Sequence, residues 1–166
     1  MSCGKVYTLK GEILDLDKTY EGNEIFEKIT TKKRELKICE ILMASPHKNI
    51  IKIYQIGPDY IDMELLNTDL SDIKIYKIKE VMREVKDYLQ SLGIMYIDWK
   101  PDNIGINKDG NLKLFDFDVS GVIDTTTGDW INKMAPPKYW SYNKAIEAGN
   151  TKPIEIDNYA FDIGFE

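Results

Sequence analysis

The sequence predicts an α+β fold of two lobes: a five-stranded antiparallel N-terminal sheet with one helix, and a reduced, mainly helical C-terminal lobe. Two observations favour this class. Short β-prone runs fill most of residues 5–65, interrupted once by a helical period. After residue 67 one long amphipathic helix is followed only by short strands, turns and brief helices. We therefore predict an N-lobe at residues 1–66 and a C-lobe at residues 67–166.

The first lobe is predicted from changes in hydrophobic period. Three β-prone runs lie at 5–9, 12–16 and 24–29, separated by Gly11 and by the turn-rich stretch 17–23. From Thr31 to Ala44 the period becomes helical, and Ser45-Pro46 ends the helix. Strands at about 51–56 and 60–65 complete the predicted sheet.

The second lobe opens with a helix whose apolar residues recur at helical spacing and which Gly93 ends. Its apolar stripe comprises Ile78, Val81, Val85, Leu89 and Leu92.

Residues 96–118 are predicted to form a β-hairpin with polar groups at its open end. A Gly-containing turn, 107–111, joins two short apolar runs and folds Asp98, Asn103 and Asp116 towards one place. A carboxylate there can accept the proton of an attacking hydroxyl, and Lys100 can neutralise phosphate charge. Asparagine and aspartate oxygens are ligands that magnesium prefers. The alternative is an Asx-rich hairpin whose carboxylates are only solvated.

This stretch resembles the catalytic core of eukaryotic-type Ser/Thr protein kinases, the His-Arg-Asp-x-Lys-x-x-x-Asn loop followed by Asp-Phe-Gly. Asp98, Lys100, Asn103, Asp116 and Phe117 stand at the family's offsets. The resemblance implies ATP and Mg²⁺, with Asp98 and Lys100 as catalytic residues and Asn103 and Asp116 as metal ligands.

The resemblance extends over most of the chain. Segment 46–54 is similar to the stretch between helix C and strand 4, and 60–66 is similar to strand 5 running into the hinge. This implies a gatekeeper at Met63 and nucleotide contacts at Glu64, Leu66 and, near the ribose, Asp69. Segment 134–137 resembles the Ala-Pro-Glu that closes the activation segment, and 157–162 resembles the start of helix F.

Two lysines compete for the role of orienting the nucleotide phosphates. Lys28 ends the third predicted strand, and Glu35 on the following helix would pair with it. Lys10 resembles the family's Val-Ala-Ile-Lys pattern slightly better in its local residue types, but choosing it leaves no chain for two preceding strands. Strand count favours Lys28, and the question stays open at this stage.

The sequence departs from the family at several positions. The Gly-rich phosphate loop is reduced to Lys10-Gly11-Glu12, which predicts weaker nucleotide affinity. Ile97 replaces the arginine of the catalytic loop, so Thr125, Thr126 and Thr127 are not expected to be a phosphorylation switch of the usual kind. Asp118 replaces the glycine of Asp-Phe-Gly, and Gly105 replaces a leucine under the adenine, which should thin that floor. The sequence stops just inside the helix F region, which favours a naturally minimal kinase fold over a fragment.

Composition excludes several function classes. A net charge of −6 and a pI of about 4.9 give no basic field for nucleic acid. Two cysteines and the absence of an apolar leader or a long apolar run favour the cytosol and disfavour a membrane. Twenty lysines against two arginines indicate an AT-rich genome. Large DNA viruses, AT-rich bacteria and protists are all such sources, and for a virus the compartment is the host cytoplasm.

Two functions remain. The first, which we favour, is an enzyme that transfers phosphate from ATP to protein Ser/Thr hydroxyls. The alternative is a pseudokinase, a binding or scaffold module that regulates a protein partner without catalysis, favoured by the reduced Gly-rich loop and by Asp118.

The resemblance also makes two structural predictions. A column of buried side chains from both lobes should comprise Phe117, Tyr96, Cys39 and Asp157. The apolar side chains of 153–166, with Trp130, Tyr139 and Trp140, should be left uncovered and mediate self-association or bind a partner; the alternative is that they repack inside the C-lobe.

Overall fold

The computed structural model of the chain describes residues 19–166 in full and, before them, the backbone of two strands. The strands are β1 (Lys5–Tyr7), β2 (Ile13–Asp15), β3 (Thr19–Tyr20), β4 (Asn23–Ile29), β5 (Ile53–Ile56), β6 (Tyr60–Glu64), β7 (Ile94–Met95), β8 (Ile104–Ile106), β9 (Leu112–Leu114) and β10 (Gly121–Val122). The helices are α1 (Lys33–Ala44), α2 (Ile75–Ser91), α3 (Trp140–Glu147) and α4 (Pro153–Gly164). These elements confirm the predicted α+β class.

The sheet of the first lobe is antiparallel throughout its described strands. β3, β4, β6 and β5 form one four-stranded sheet in that order, and β1 pairs with β2 in a separate ladder. The five predicted strands all have counterparts, but the turn-rich stretch also contains the short strand β3, which the sequence did not predict. In the central pair Lys28 lies opposite Ile61, so the register sets which β4 side chains point towards the interlobe space.

Both long helices bury only part of their apolar stripes: α1 buries Cys39 and Leu42 but leaves Met43 47% exposed, and α2 buries Ile78, Val85 and Leu89. α1 begins two residues later than expected, after Thr30 Oγ1 accepts a hydrogen bond from the Lys32 amide at 3.2 Å. α2 ends just before Gly93, whose φ of 81° permits the chain reversal that an L-residue would resist. Among the described residues no helix is both long and apolar enough to cross a membrane.

Residues 49–51 link the two lobes through β9. The Ile51 amide donates to the Leu114 carbonyl at 2.9 Å, and the Leu114 amide donates to the Asn49 carbonyl at 2.9 Å. The Asn49 side chain adds a third bond, donating to the Leu112 carbonyl at 2.9 Å. The core therefore runs without interruption from the α1 side of the sheet into the second lobe.

The C-terminal helix α4 is packed internally, which corrects the expectation that its aromatic side chains are uncovered. Phe161 and Phe165 are 1% and 4% exposed, because their rings pack against Trp99 and against each other. Cationic groups of α2 lie over the Phe161 ring, with Lys86 Nζ 5.4 Å from its centroid. The alternative of internal repacking is thus the one the fold adopts, although Tyr139 and Trp140 remain about three-fifths exposed.

Candidate active site

The predicted hairpin forms and brings its polar ends together. β8 and β9 pair with Ile104 opposite Leu114, and the Phe115 amide extends the ladder by donating to the Asn103 carbonyl at 3.0 Å. The turn is closed by Asn107, whose side-chain oxygen accepts from the amides of Asp109 and Asn111. The register therefore places Asn103 beside the residue that precedes Asp116.

Asp98, Asn103 and Lys100 form the first polar cluster of the site. Asn103, which is fully buried, donates its amide to the Asp98 carboxylate and to the Asp98 carbonyl, both at 2.9 Å. Lys100 Nζ lies 3.8 Å from the other carboxylate oxygen, and both side chains are partly exposed. Asp98 is thus oriented by a rigid neighbour while its carboxylate still reaches solvent.

The loop carrying Asp98 is held in a rare backbone conformation. The Asp98 amide donates to the Tyr96 carbonyl at 2.8 Å around Ile97, whose φ is 71°. This is a γ-turn with a positive central φ, a strained conformation that a β-branched residue seldom adopts. Asp157 on α4 stabilises it, because its carboxylate accepts a hydrogen bond from the Ile97 amide at 2.9 Å.

All four side chains predicted to form a buried column are buried. Phe117, Tyr96, Cys39 and Asp157 are each at most 3% exposed, and the Tyr96 and Phe117 rings meet edge to face at 5.1 Å. Sequence reasoning missed Trp99, which links the two ends: its ring lies 4.7 Å from Tyr96, and its Nε1 donates to Asp157 at 2.8 Å. Burial raises the pKa of the Asp157 carboxyl and raises that of the Tyr96 hydroxyl well above its ordinary value.

A second polar cluster joins the two lobes at Lys28. Its ammonium lies 2.6 Å from the Glu35 carboxylate and 3.5 Å from Asp116, and all three side chains are nearly buried. Lys28 therefore meets the acid that the sequence assigned to it. Lys10, the rival, falls outside the described residues, as does the shortened loop at Gly11. Asp116 has a φ of 64°, a second non-glycine residue in the left-handed region at this site.

A cavity of about 280 Å³ opens between the lobes beside this cluster. Its wall is mostly apolar and includes Met63, Leu66 and Phe117, with the charged groups of Lys28 and Asp116 on one side. An apolar pocket with a few convergent polar groups is the usual form of a small-ligand site. Met63 and Leu66 thus lie on the cavity wall, where the resemblance requires them.

Two of the expected nucleotide contacts differ from the expectation in detail. Glu64 borders the cavity, but its side chain accepts a hydrogen bond from the Lys52 amide at 2.8 Å and lies 3.1 Å from Lys113 Nζ, and its own amide donates to the Lys52 carbonyl at 2.9 Å. Asp69 lies outside the cavity wall, exposed, and its carboxylate accepts from the Ser71 amide. That hydrogen bond lowers the pKa of Asp69. Thr68 lines the cavity instead.

Gly105 does not leave a gap where the resemblance expects a leucine. A Cβ at this position would lie 2.7 Å from the Leu66 Cβ and 3.1 Å from the Asn67 carbonyl oxygen. The linker after β6 approaches this closely because Asn67 and Ile106 exchange two backbone hydrogen bonds, at 2.9 and 2.8 Å. The expected thin floor is therefore wrong, since the linker itself fills the space.

The donor set suits magnesium bound together with phosphate. Asp116 would offer a carboxylate oxygen, and Asn103, whose amide nitrogen donates to Asp98, would offer its side-chain oxygen. In residues 19–166 no group of three or more His, Cys, Asp or Glu side chains forms a metal site of its own. Magnesium commonly takes one or two protein oxygens and completes its shell with phosphate and water, so this set fits it.

Comparison with known proteins gives a consistent assignment. Residues 4–163 match the family described as protein kinase domain. The chain is 27% identical, over 93% of its length, to Extracellular signal-regulated kinase 1 of Dictyostelium discoideum. It is 31% identical, over 79% and 75% of its length, to Serine/threonine-protein kinase CST20 of Candida albicans and Mitogen-activated protein kinase HOG1 of Ustilaginoidea virens. These matches span 32%, 12% and 39% of the three relatives.

Proposed function

Because this chain belongs to the protein kinase domain family, we propose that it catalyses transfer of the γ-phosphoryl group of ATP to Ser or Thr hydroxyls of a protein substrate. The Ser/Thr class is supported by the similarity to Serine/threonine-protein kinase CST20 and by Lys100, two residues after Asp98.

The observation that carries this proposal is the joint geometry of the two polar clusters. Lys28 contacts Glu35 and Asp116, and Asn103 contacts Asp98, while the β8–β9 ladder ties Asn103 to the Asp116 side of the hairpin. A scaffold without phosphoryl transfer has no need of a lysine between two carboxylates and an aimed aspartate. The arrangement supports catalysis over a purely structural role.

Each residue has a role that follows from its surroundings. Asp98 accepts the proton of the substrate hydroxyl, because its carboxylate is oriented by Asn103 and still reaches solvent. Lys100, 43% exposed, compensates negative charge on the transferred group. Lys28, held by Glu35, orients the remaining phosphates.

Magnesium, when bound, supplies charge neutralisation between the phosphate oxygens. Asn103 and Asp116 would hold it. The base of the nucleotide would lie in the apolar part of the cavity, against Met63 and Leu66.

The test compares two variants that separate binding from chemistry. Asp98→Asn should lower phosphoryl transfer by about a hundredfold or more while leaving ATP affinity within about twofold, since Asp98 acts on the hydroxyl and not on the nucleotide. Asp116→Asn should abolish the magnesium dependence of ATP binding, measured by calorimetry with and without the metal. A control variant, Asp162→Ala at an exposed position of α4, should change neither quantity.

The pseudokinase alternative predicts a different pattern. Such a module would bind nucleotide without transferring phosphate, and Asp98→Asn would then have no effect on any measured rate. Equal incorporation of labelled phosphate by the wild type and the Asp98→Asn variant would overturn the catalytic assignment.

A further inference from the structure

Asp118, which stands where the family has a glycine, is engaged by the start of α1. Lys32 Nζ lies 2.6 Å from Asp118 Oδ1, and the two side chains are 57% and 33% exposed. Lys32 precedes α1 directly, so the ion pair joins the N-terminal end of that helix to the segment that follows Phe117. An acidic residue at this position thus gains a partner that a glycine could not have.

Arg34 makes a second and less exposed connection to the same segment. Its guanidinium donates through Nε to the Ser120 carbonyl at 2.8 Å and through a terminal nitrogen to the Asp118 carbonyl. Ser120 is fully buried, and its hydroxyl donates to the Tyr96 carbonyl at 3.0 Å. The planar fork of arginine is pre-organised for two acceptors at once, whereas a lysine ammonium is a flexible point charge without that fixed geometry.

These contacts are made next to Glu35, the residue that pairs with Lys28. Glu35 follows Arg34 directly and lies in the first turn of α1. On the other side, the contacted segment 118–120 follows shortly after Asp116, whose carboxylate lies 3.5 Å from Lys28 Nζ. Any rotation of the first turn of α1 away from 118–120 would carry Glu35 with it.

We propose that Lys32, Arg34 and Asp118, together here the Arg34 clamp, are positioning residues that keep Glu35 on Lys28 without phosphorylation of the segment that follows. This inference rests on the proposed function, because it assigns the clamp a part in phosphoryl transfer. Arg34 acts through Glu35 and Asp116 and does not itself touch the reacting groups.

The segment beyond the clamp is ordered by its own backbone, which supports the proposal. The Val122 amide donates to the Met134 carbonyl and the Ile131 amide to the Val122 carbonyl, both at 2.9 Å. The tip closes through Gly128, whose amide donates to the Asp124 carbonyl at 2.7 Å. Ile97 offers no cation for a phosphate at the three exposed threonines 125–127. The clamp therefore holds this segment against α1, so that no phosphate charge on the threonines is needed to do so.

We expect Arg34 to contribute more to kcat than the Lys32–Asp118 ion pair does. Exposed ion pairs contribute little to stability, whereas hydrogen bonds from a charged, partly buried donor to two carbonyls are stronger. We expect Arg34→Ala to lower kcat about tenfold and Arg34→Lys to recover part of that loss, because a point charge replaces the fork. Lys32→Asp or Asp118→Lys alone should cost about two- to fivefold, and the double swap should restore most of it.

The control variant is Lys37→Ala on the same helix. Lys37 is as exposed as Lys32 and forms only a surface pair with Glu40 at 3.8 Å. It should leave kcat and ATP affinity unchanged. Replacing threonines 125–127 together by alanine should also leave kcat unchanged.

Hydrogen exchange provides a readout that does not depend on catalysis. Arg34→Ala should speed amide exchange in the first turns of α1 and in 116–122 and weaken ATP affinity, while exchange in α2 stays as in the wild type. If the wild type transfers no phosphate but these local changes occur, the proposed function fails and the positioning role of the clamp stands. If exchange, ATP affinity and kcat in Arg34→Ala all match Lys37→Ala, or if the charge swap restores nothing, the inference is overturned.

Discussion

Replacing Asp157 by alanine should release the turn that aims Asp98. The fully buried Asp157 carboxylate accepts hydrogen bonds from the Ile97 amide at 2.9 Å, from Trp99 Nε1 at 2.8 Å and from Gln90 at 2.9 Å. Without it, the strained φ of Ile97 loses the hydrogen bond that α4 supplies. We expect both stability and catalysis to fall.

The magnitude follows from the groups left unpaired. The Ile97 amide and Trp99 Nε1 would each be a buried donor without acceptor, at about 1–3 kcal/mol apiece, or about 2–6 kcal/mol together. Gln90 adds little, because it also donates to Asn158 at 3.0 Å and keeps that partner. Burial raises the pKa of Asp157, because desolvation disfavours its charged form, and removing the carboxylate also removes that desolvation cost. We therefore place the expected loss of unfolding free energy at about 2–4 kcal/mol.

A matched set of variants distinguishes this account from simple loss of volume. Asp157→Asn keeps an oxygen for Ile97 and Trp99 and should cost less than Asp157→Ala, and the exposed Asp162→Ala on the same helix should cost nothing measurable. Urea unfolding gives the free energies, and a loss of about 2–4 kcal/mol corresponds to roughly 4–16 °C in Tm for a chain of this size. Equal losses for Asp157→Asn and Asp157→Ala, or a loss below about 1 kcal/mol for alanine, would refute the reasoning.

Three further outcomes are expected. Gly164→Ala should destabilise the fold by at least about 1–3 kcal/mol in urea unfolding, since its Cβ would lie 1.9 Å from the Trp99 carbonyl oxygen; an unchanged midpoint would contradict the packing of α4. Burial raises the pKa of the Cys39 thiol to about 12, so in a Cys3→Ser background iodoacetamide at about pH 8 should label unfolded but not native protein. The raised pKa of Asp157 means that the native state holds this proton to higher pH than the unfolded chain does. Relative to Asp157→Asn, the wild type should therefore lose unfolding free energy as pH rises above about 4, and a constant difference would contradict that shift.

The parts of the site that the sequence predicted are those determined by short stretches of chain. Asp98, Asn103 and Asp116 lie within twenty residues of one another, and the intervening turn is specified by Asn107 and by Gly110, whose φ is 85°. Period changes located α1 and α2 to within two or three residues. The Lys28–Glu35 pair spans seven residues across a strand and a helix, and strand count favoured Lys28 while leaving Lys10 as its rival.

The features that were missed depend on contacts between distant parts of the chain. Trp99 meets Asp157 across 58 residues, and Arg34 meets Ser120 across 86, so no local spacing marks either pair. Gly105 was misinterpreted for the same reason, because the backbone that excludes a side chain there belongs to Leu66 and Asn67.

Asp118 shows how such a contact changes the meaning of a substitution. Considered alone, an aspartate in place of glycine adds charge and stiffens a turn that must carry Asp116. With Lys32 at 2.6 Å and Arg34 on the adjoining carbonyl, the same residue connects α1 to that turn. A departure from the family's pattern is therefore weak support for a pseudokinase until its partner is known. In this protein Lys32 directly precedes the helix that carries Glu35, so Asp118 contacts the end of α1 that positions the Lys28–Glu35 pair.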